Sequence, residues 1–130
     1  MAREILDKGL TDLKNDVLAL GNMVVSALNK SVKALMVRDF QTSKMIISED
    51  QAINQKRYDI EQHCLTLIAT QQPLASDLRV LASVLEIITE LERMGDYAKG
   101  IGKINVLLGN EALLPAAQML PEMAEKSLKM

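Results

Sequence analysis

Apolar residues recur at alternating steps of four and three from the start of the chain: Leu6, Leu10, Leu13, Val17, Leu20, Val24 and Ala27. That spacing is the seam of a helix packed nearly parallel to a neighbour. A second row, Val25, Leu28, Val32 and Leu35, broadens the stripe, and the pattern runs to about Val37. Arg38-Asp39 then offers a turn, with Asp39 placed to cap the next helix. The second pattern extends from about Phe40 to Thr70, with Ile46, Ile53, Ile60, Cys64 and Leu67 in the same register. Asp50 and Arg57 fall into the gaps of that row. The third begins near Pro73, whose missing amide donor suits a first helical turn, and passes Leu107. Leu74, Leu78, Leu81, Leu85 and Ile88 form one of its stripes; Val80, Val84, Ile87, Leu91, Met94, Ala98 and Ile101 form another. An arc that wide predicts the most buried helix of the three.

No stretch alternates as a strand would. Three long rods joined by short turns predict an all-α, up-down-up bundle over residues 3–108. Gly95, Ala98 and Gly102 put small residues on one face of the third rod, which predicts a close helix approach there. Gly109-Asn110 ends that rod, and Pro115 and Pro121 punctuate the region after it. A fresh helical pattern from Pro121 to Met130 stops after about ten residues, too short to be stable unless it docks. Residues 109–130 therefore read as a linker and a short partial fourth helix.

Composition narrows the function classes. Of 130 residues, 48% are hydrophobic and 25% charged, the ordinary range for one globular domain. Fifteen Lys and Arg against seventeen Asp and Glu give a net charge of −2, with no overall basic field for nucleic acid. Phe40, Tyr58 and Tyr97 are the aromatic residues, few platforms for stacking bases. Cys64 is the single cysteine, so no disulfide forms within the chain and a reducing compartment fits best. Met1-Ala2-Arg3-Glu4 leads directly into a charged periodic segment, and no apolar run approaches the roughly 18 to 20 residues of a membrane span. The expectation is a soluble cytoplasmic protein.

The chemistry, if any, lies in acids. Glu92 and Asp96 stand four apart on one helix, so their carboxylates can converge. Eighteen residues make five turns, which gives Glu92 the azimuth of Leu74 and Asp96 that of Leu78. By the same counting Asp50 shares the azimuth of Ile68. All three are thereby expected to lean inward, where an isolated charge is expensive. One reading is a metal site formed by Asp50, Glu92 and Asp96; the other is an ion-pair network closed by Arg57 and Arg93. His63 lacks the Glu-x-x-His spacing of di-iron bundles, and Cys64 reads as a small core residue. No phosphate-binding glycine loop or nucleophile elbow occurs.

Two motifs, Gln71-Gln72-Pro73-Leu74-Ala75-Ser76-Asp77-Leu78-Arg79 and Leu91-Glu92-Arg93-Met94-Gly95-Asp96-Tyr97-Ala98, resemble in order and spacing the third helix of a PhoU domain. The resemblance spans about residues 3–108, one three-helix unit, and residues 114–130 resemble the opening of a second. It implies a regulatory accessory protein of phosphate-specific transport, cytoplasmic, dimeric and without enzymatic activity. Its implied partners are the ATP-binding subunit of the phosphate ABC transporter and a sensor histidine kinase, whose phosphate-starvation response it holds off; contact with the membrane would be peripheral, through the transporter. Some members bind multinuclear iron or zinc through paired Glu/Asp-x-x-x-Asp motifs. Glu92-x-x-x-Asp96 matches that motif, whereas Asp50-x-x-x-Asn54 carries an amide in the second place.

On this reading Asp77, Arg79 and Arg93 are the candidate partner-binding residues, and Asp50, Glu92 and Asp96 the candidate ligands for iron or zinc. The chain ends before a second unit's acidic motif, so it is expected to be a fragment or to assemble with another copy through the apolar side of the third helix. Two other classes compete: a metal-dependent helical-bundle hydrolase of phosphate esters, and a purely structural dimerisation module.

Overall fold

A computed structural model of the chain describes residues 2–109 and 125–126. Three helices succeed one another: α1 (Ala2–Val37), α2 (Phe40–Gln71) and α3 (Ala75–Leu108). Each packs against both others. Arg3 meets Asp77 near the starts of α1 and α3, and Arg38 donates to the Gly109 carbonyl near their ends, so these two helices run parallel with α2 returning between them. The expected up-down-up bundle is the observed one. The expected linker and fourth helix fall, apart from Gly109, Glu125 and Lys126, outside the described residues.

Core positions repeat every seven residues: Leu6, Leu13 and Leu20 on α1, Ile46, Ile53, Ile60 and Leu67 on α2, Leu81 and Ile88 on α3. A seven-residue repeat is sustained only if straight helices supercoil slightly, which keeps one seam inward along the whole rod. On α3 the repeat continues as Gly95 and Gly102, both buried. A methyl group at Gly102 would stand 3.1 Å from the Ser43 carbonyl oxygen, and one at Gly95 would stand 3.3 Å from Ile53. The small-residue face is thus where α3 lies closest to α2.

The α1–α2 turn is built as the pattern predicts. Arg38 adopts a left-handed φ of 59°, and the amides of Arg38 and Asp39 return to the Leu35 and Ala34 carbonyls at 3.3 and 2.7 Å, closing a Schellman-type end. Asp39 caps α2: its carboxylate accepts from the Thr42 amide at 3.1 Å and the Thr42 hydroxyl at 2.6 Å. From across the bundle, the buried Asn105 side-chain amide donates to the Ala34 and Asp39 carbonyls and to the Ser43 hydroxyl, at 3.1, 3.3 and 2.8 Å. One α3 side chain therefore pins the turn between the other two helices.

Two expectations are corrected. Pro73 does not open α3; Gln72 ends α2 in the left-handed region at φ 44°, and Leu74, extended, is the N-cap. Pro73 accordingly belongs to the connection, where its fixed φ and missing donor suit a turn as well as a helix start. Nor is α3 buried over a wide arc. Leu74, Leu78 and Ile87 are exposed, at 71%, 44% and 46%, because two neighbours cover a narrower sector than the sequence offers.

Cys64 is in the core as expected, its thiol donating to the Leu81 carbonyl at 3.4 Å. Burial, and secondarily the charge of Glu61, push its pKa up, which favours an unreactive thiol.

The Thr42 hydroxyl and then the Thr42 amide hold the Asp39 carboxyl below its usual range. A lowered folded pKa stabilises above the unfolded value of about 3.9 and is lost as pH falls through the folded one. Asp39→Ala should therefore lower the melting temperature at neutral pH, with the gap to the parent narrowing below about pH 4. Separately, Gly21→Ala, with nothing near the new methyl, should raise stability by about 0.5–1 kcal/mol. Gly102→Ala should lower it by about 1 kcal/mol, the strain against Ser43 exceeding the gain in helix propensity; urea unfolding of the pair reads the opposite signs.

Candidate functional site

The inner row of α2 facing α3 reads Ser43, Asp50, Arg57, Cys64, a polar pair set between residues small enough to be covered. Asp50 lies at the level where the main apolar cluster, containing Ile53 and Ile88, gives way to a smaller one containing Ile46 and Ala98. It is 3% exposed. Gly95 stands opposite it: a Cβ there would be in ordinary contact, 3.7 Å from Asp50 Oδ1. The other oxygen, Oδ2, accepts from Asn54 Nδ2 at 3.1 Å and pairs with the Lys99 ammonium at 3.7 Å, an ion-pair separation longer than a hydrogen bond. Asp50 Oδ1 and Asn54 Oδ1 have no hydrogen-bond donor.

Two turns along α2, Arg57 joins both helices. Its Nη1 donates to Glu61 at 2.6 Å, and its Nε lies 2.7 Å from Glu92 Oε2. The second contact is one of charge rather than an aligned hydrogen bond, since the Nε hydrogen does not point at the carboxylate. Planar Arg suits such a bridge, with donors on two edges. The result is a polar seam between α2 and α3: acid, lysine and amide at one level, two acids and an arginine at the next.

This arrangement matches the expectations unevenly. Asp50 leans inward as expected. Glu92 is half-buried, and Asp96 is exposed. The 18-residue count gives each acid the azimuth of a reference leucine, so it turns an acid inward only if that leucine is buried. Leu74 and Leu78, the reference positions, are themselves exposed. The structure does not gather Asp50, Glu92 and Asp96 into one donor set, and no group of three or more His, Cys, Asp or Glu suited to a metal ion occurs among the described residues. Of the two arginines expected to neutralise the acids, Arg57 does so, while Arg93 is exposed and pairs with Glu90 at 3.4 Å.

Sequence reasoning misses Lys99, although a signal for it exists: it stands seven residues after Glu92, on the same α2-facing row. Asp77 also has an internal task. It is buried and held by Arg3, whose own pKa is raised chiefly by that hydrogen bond and then by the charge of Asp7. Arg79 and Arg93 point outward and are available to another molecule. The groove between α1 and α2, floored by Met23, Ala27, Ile46 and Ile53 with Lys30 and Glu49 among its lining residues, holds about 230 Å³, below the roughly 300–1,000 Å³ usual for small-molecule pockets.

Comparison with known proteins places this geometry. The PhoU domain family matches residues 17–104. A Streptococcus pneumoniae protein named phosphate-specific transport system accessory protein PhoU homolog is 38% identical over 128 residues, covering 98% of this chain and 59% of that protein. Its namesake from Aquifex aeolicus is 35% identical, with 82% and 48% covered. The chain thus spans about half to three fifths of these relatives' length. Among solved structures, the PhoU regulatory protein of the phosphate transport system from Streptococcus pneumoniae superposes with a TM-score of 0.85 at 35% identity, over 95% of this chain and 58% of that one. PhoU from Pseudomonas aeruginosa gives 0.88 at 29% identity, over 95% and 59%. No described helix is long and apolar enough to cross a membrane. With one motif across the α2–α3 connection and the other within α3, its three-rod bundle and these matches, the chain belongs to the PhoU family.

Proposed function

We propose that this chain is a regulatory accessory component of phosphate-specific transport that works by binding, in the cytoplasm, and not by catalysis. The observation that carries this reading is the match of the whole three-helix bundle to proteins named as accessory and regulatory to phosphate transport. The use of the inward charges supports it: Asp50, Arg57, Glu92 and Asp77 hold helices together, which leaves the outward residues for recognition. A bundle tied in this way presents a fixed surface to a partner, and binding to preorganised surfaces loses little conformational entropy.

The partners proposed are the ATP-binding subunit of a phosphate ABC transporter and a sensor histidine kinase. Arg79 and Arg93 are the contact residues put forward, both exposed on α3 and both suited to bidentate pairing with carboxylates. A homodimer is proposed as the working form. Leu18 and Val25 on α1 and Tyr97 and Ile104 on α3 are exposed at 67%, 36%, 62% and 51%, more apolar surface than an isolated rod needs.

Purified transporter ATP-binding subunit, titrated in biolayer interferometry, should bind the Arg79→Glu/Arg93→Glu variant at least about tenfold more weakly than the parent, with the melting temperature unchanged. Equal affinity removes this face from the proposal, and no binding by the parent removes the partner. Sedimentation velocity at micromolar concentration should show a dimer that Leu18→Glu/Tyr97→Lys converts to monomer; a parent that sediments as a monomer rejects the dimer.

A further inference from the structure

Each acid that the bundle draws inward between α2 and α3 already faces a cation of the same chain. We propose that Lys99 and Arg57 are built-in counter-ions on this face, taking the place that a divalent metal ion would otherwise fill, so that the Asp50 face of the unit takes no iron or zinc. Lys99 and Arg57 play this part whichever protein the chain binds.

Four observations carry it. The Lys99 ammonium stands 3.7 Å from Asp50 Oδ2, and a dication at that oxygen would meet a like charge at close range. Asn54, where a second acid would strengthen a metal site, turns its NH2 toward the same oxygen at 3.1 Å; rotating the amide to offer oxygen instead would set it against a carboxylate. Glu92 is held at 2.7 Å by Arg57, whose guanidinium also pairs with Glu61 and so occupies the place beside the carboxylate. The buried acceptors left without a donor here are Asp50 Oδ1 and Asn54 Oδ1. Two oxygens fall short of the roughly four donors that zinc takes and the six or more of harder cations. They are within the capacity of a lysine ammonium, which carries three donors on a flexible stem.

The test has two parts. The chain is equilibrated with excess Zn²⁺, and in parallel with Fe²⁺ under anaerobic conditions, passed through gel filtration and assayed by elemental mass spectrometry. The parent and Asp50→Asn should retain the same trace of metal, below about 0.1 ion per chain on the scale where a formed site holds one. About one ion per chain in the parent, lost in Asp50→Asn, overturns the proposal. The second part is a urea-unfolding cycle of Asp50→Asn and Lys99→Met. Groups that neutralise each other should couple, the double variant departing from additivity by about fivefold or more in the unfolding constant. Additivity within about twofold overturns the role of Lys99. Lys99→Gln, which keeps a donor and loses the charge, serves if Lys99→Met does not fold, and the metal assay on the parent decides in either case.

Discussion

How closely α3 can lie against α2 governs much of what this bundle does. At Gly95 and Gly102 the α3 backbone meets α2 directly: a methyl on Gly102 would reach 3.1 Å from the Ser43 carbonyl, and one on Gly95 3.3 Å from Ile53. Once the helices are that near, Asp50, Ser43 and Ile53 of α2, which face Gly95 and Gly102 together with Ile47, are buried. A carboxylate in such a place cannot stay hydrated, so the same close approach that gains dispersion contacts also demands a counter-ion and donors within the chain. Lys99, Asn54 and, one level along, Arg57 are the response to that demand.

Buried ion pairs add little stability over apolar residues of equal size, because desolvation opposes attraction. Their effect here is on register. Sliding α3 by one seven-residue repeat along α2 would keep apolar rows facing apolar rows, yet it would move Lys99 from Asp50 and Glu92 from Arg57. At the far end the same slide would carry Asn105 away from the Ala34 and Asp39 carbonyls and the Ser43 hydroxyl. Apolar rows alone leave several alignments close in energy; the polar contacts separate them. The Asn105 anchor also explains how Arg38 is held at a left-handed φ without glycine, since the turn it forms is bonded from both α1 and α3.

The rods, their direction and the Asp39 cap are legible in the sequence because each rests on local spacing or on one side chain next to its own helix end. The α3 start and its face are not. Pro73 fits two positions near a helix start, and choosing between them depends on Gln72 turning left-handed, which local sequence does not dictate. The eighteen-residue count misplaces Glu92 and Asp96 because its references, Leu74 and Leu78, are not inward: Leu74 is the extended N-cap and both are exposed. Asp50 comes out correctly by the same count because its reference, Ile68, packs against the core. Lys99, Asn105 and the Arg3 partner of Asp77 all depend on contacts between helices more than sixty residues apart or on another rod's register. Only the PhoU resemblance carries information over that range, and it does so for the fold and the family rather than for each side chain's task.

The division of labour among charges bears directly on function. A carboxylate that catalyses or holds a metal must be able to change its partner, whereas Glu92 is held by an arginine that also grips Glu61, and Asp77 by Arg3 from another helix. Exchange of these contacts would loosen the bundle itself. Among the charged residues of the two motifs that mark the family, those that already face water, Arg79, Arg93 and Asp96, can change partners at no such cost, and all three are on α3. A unit whose inward charges are committed and whose outward ones are held on a rigid rod is suited to being read by another protein. Regulation by contact requires that combination, and the seam between α2 and α3 supplies its rigid half.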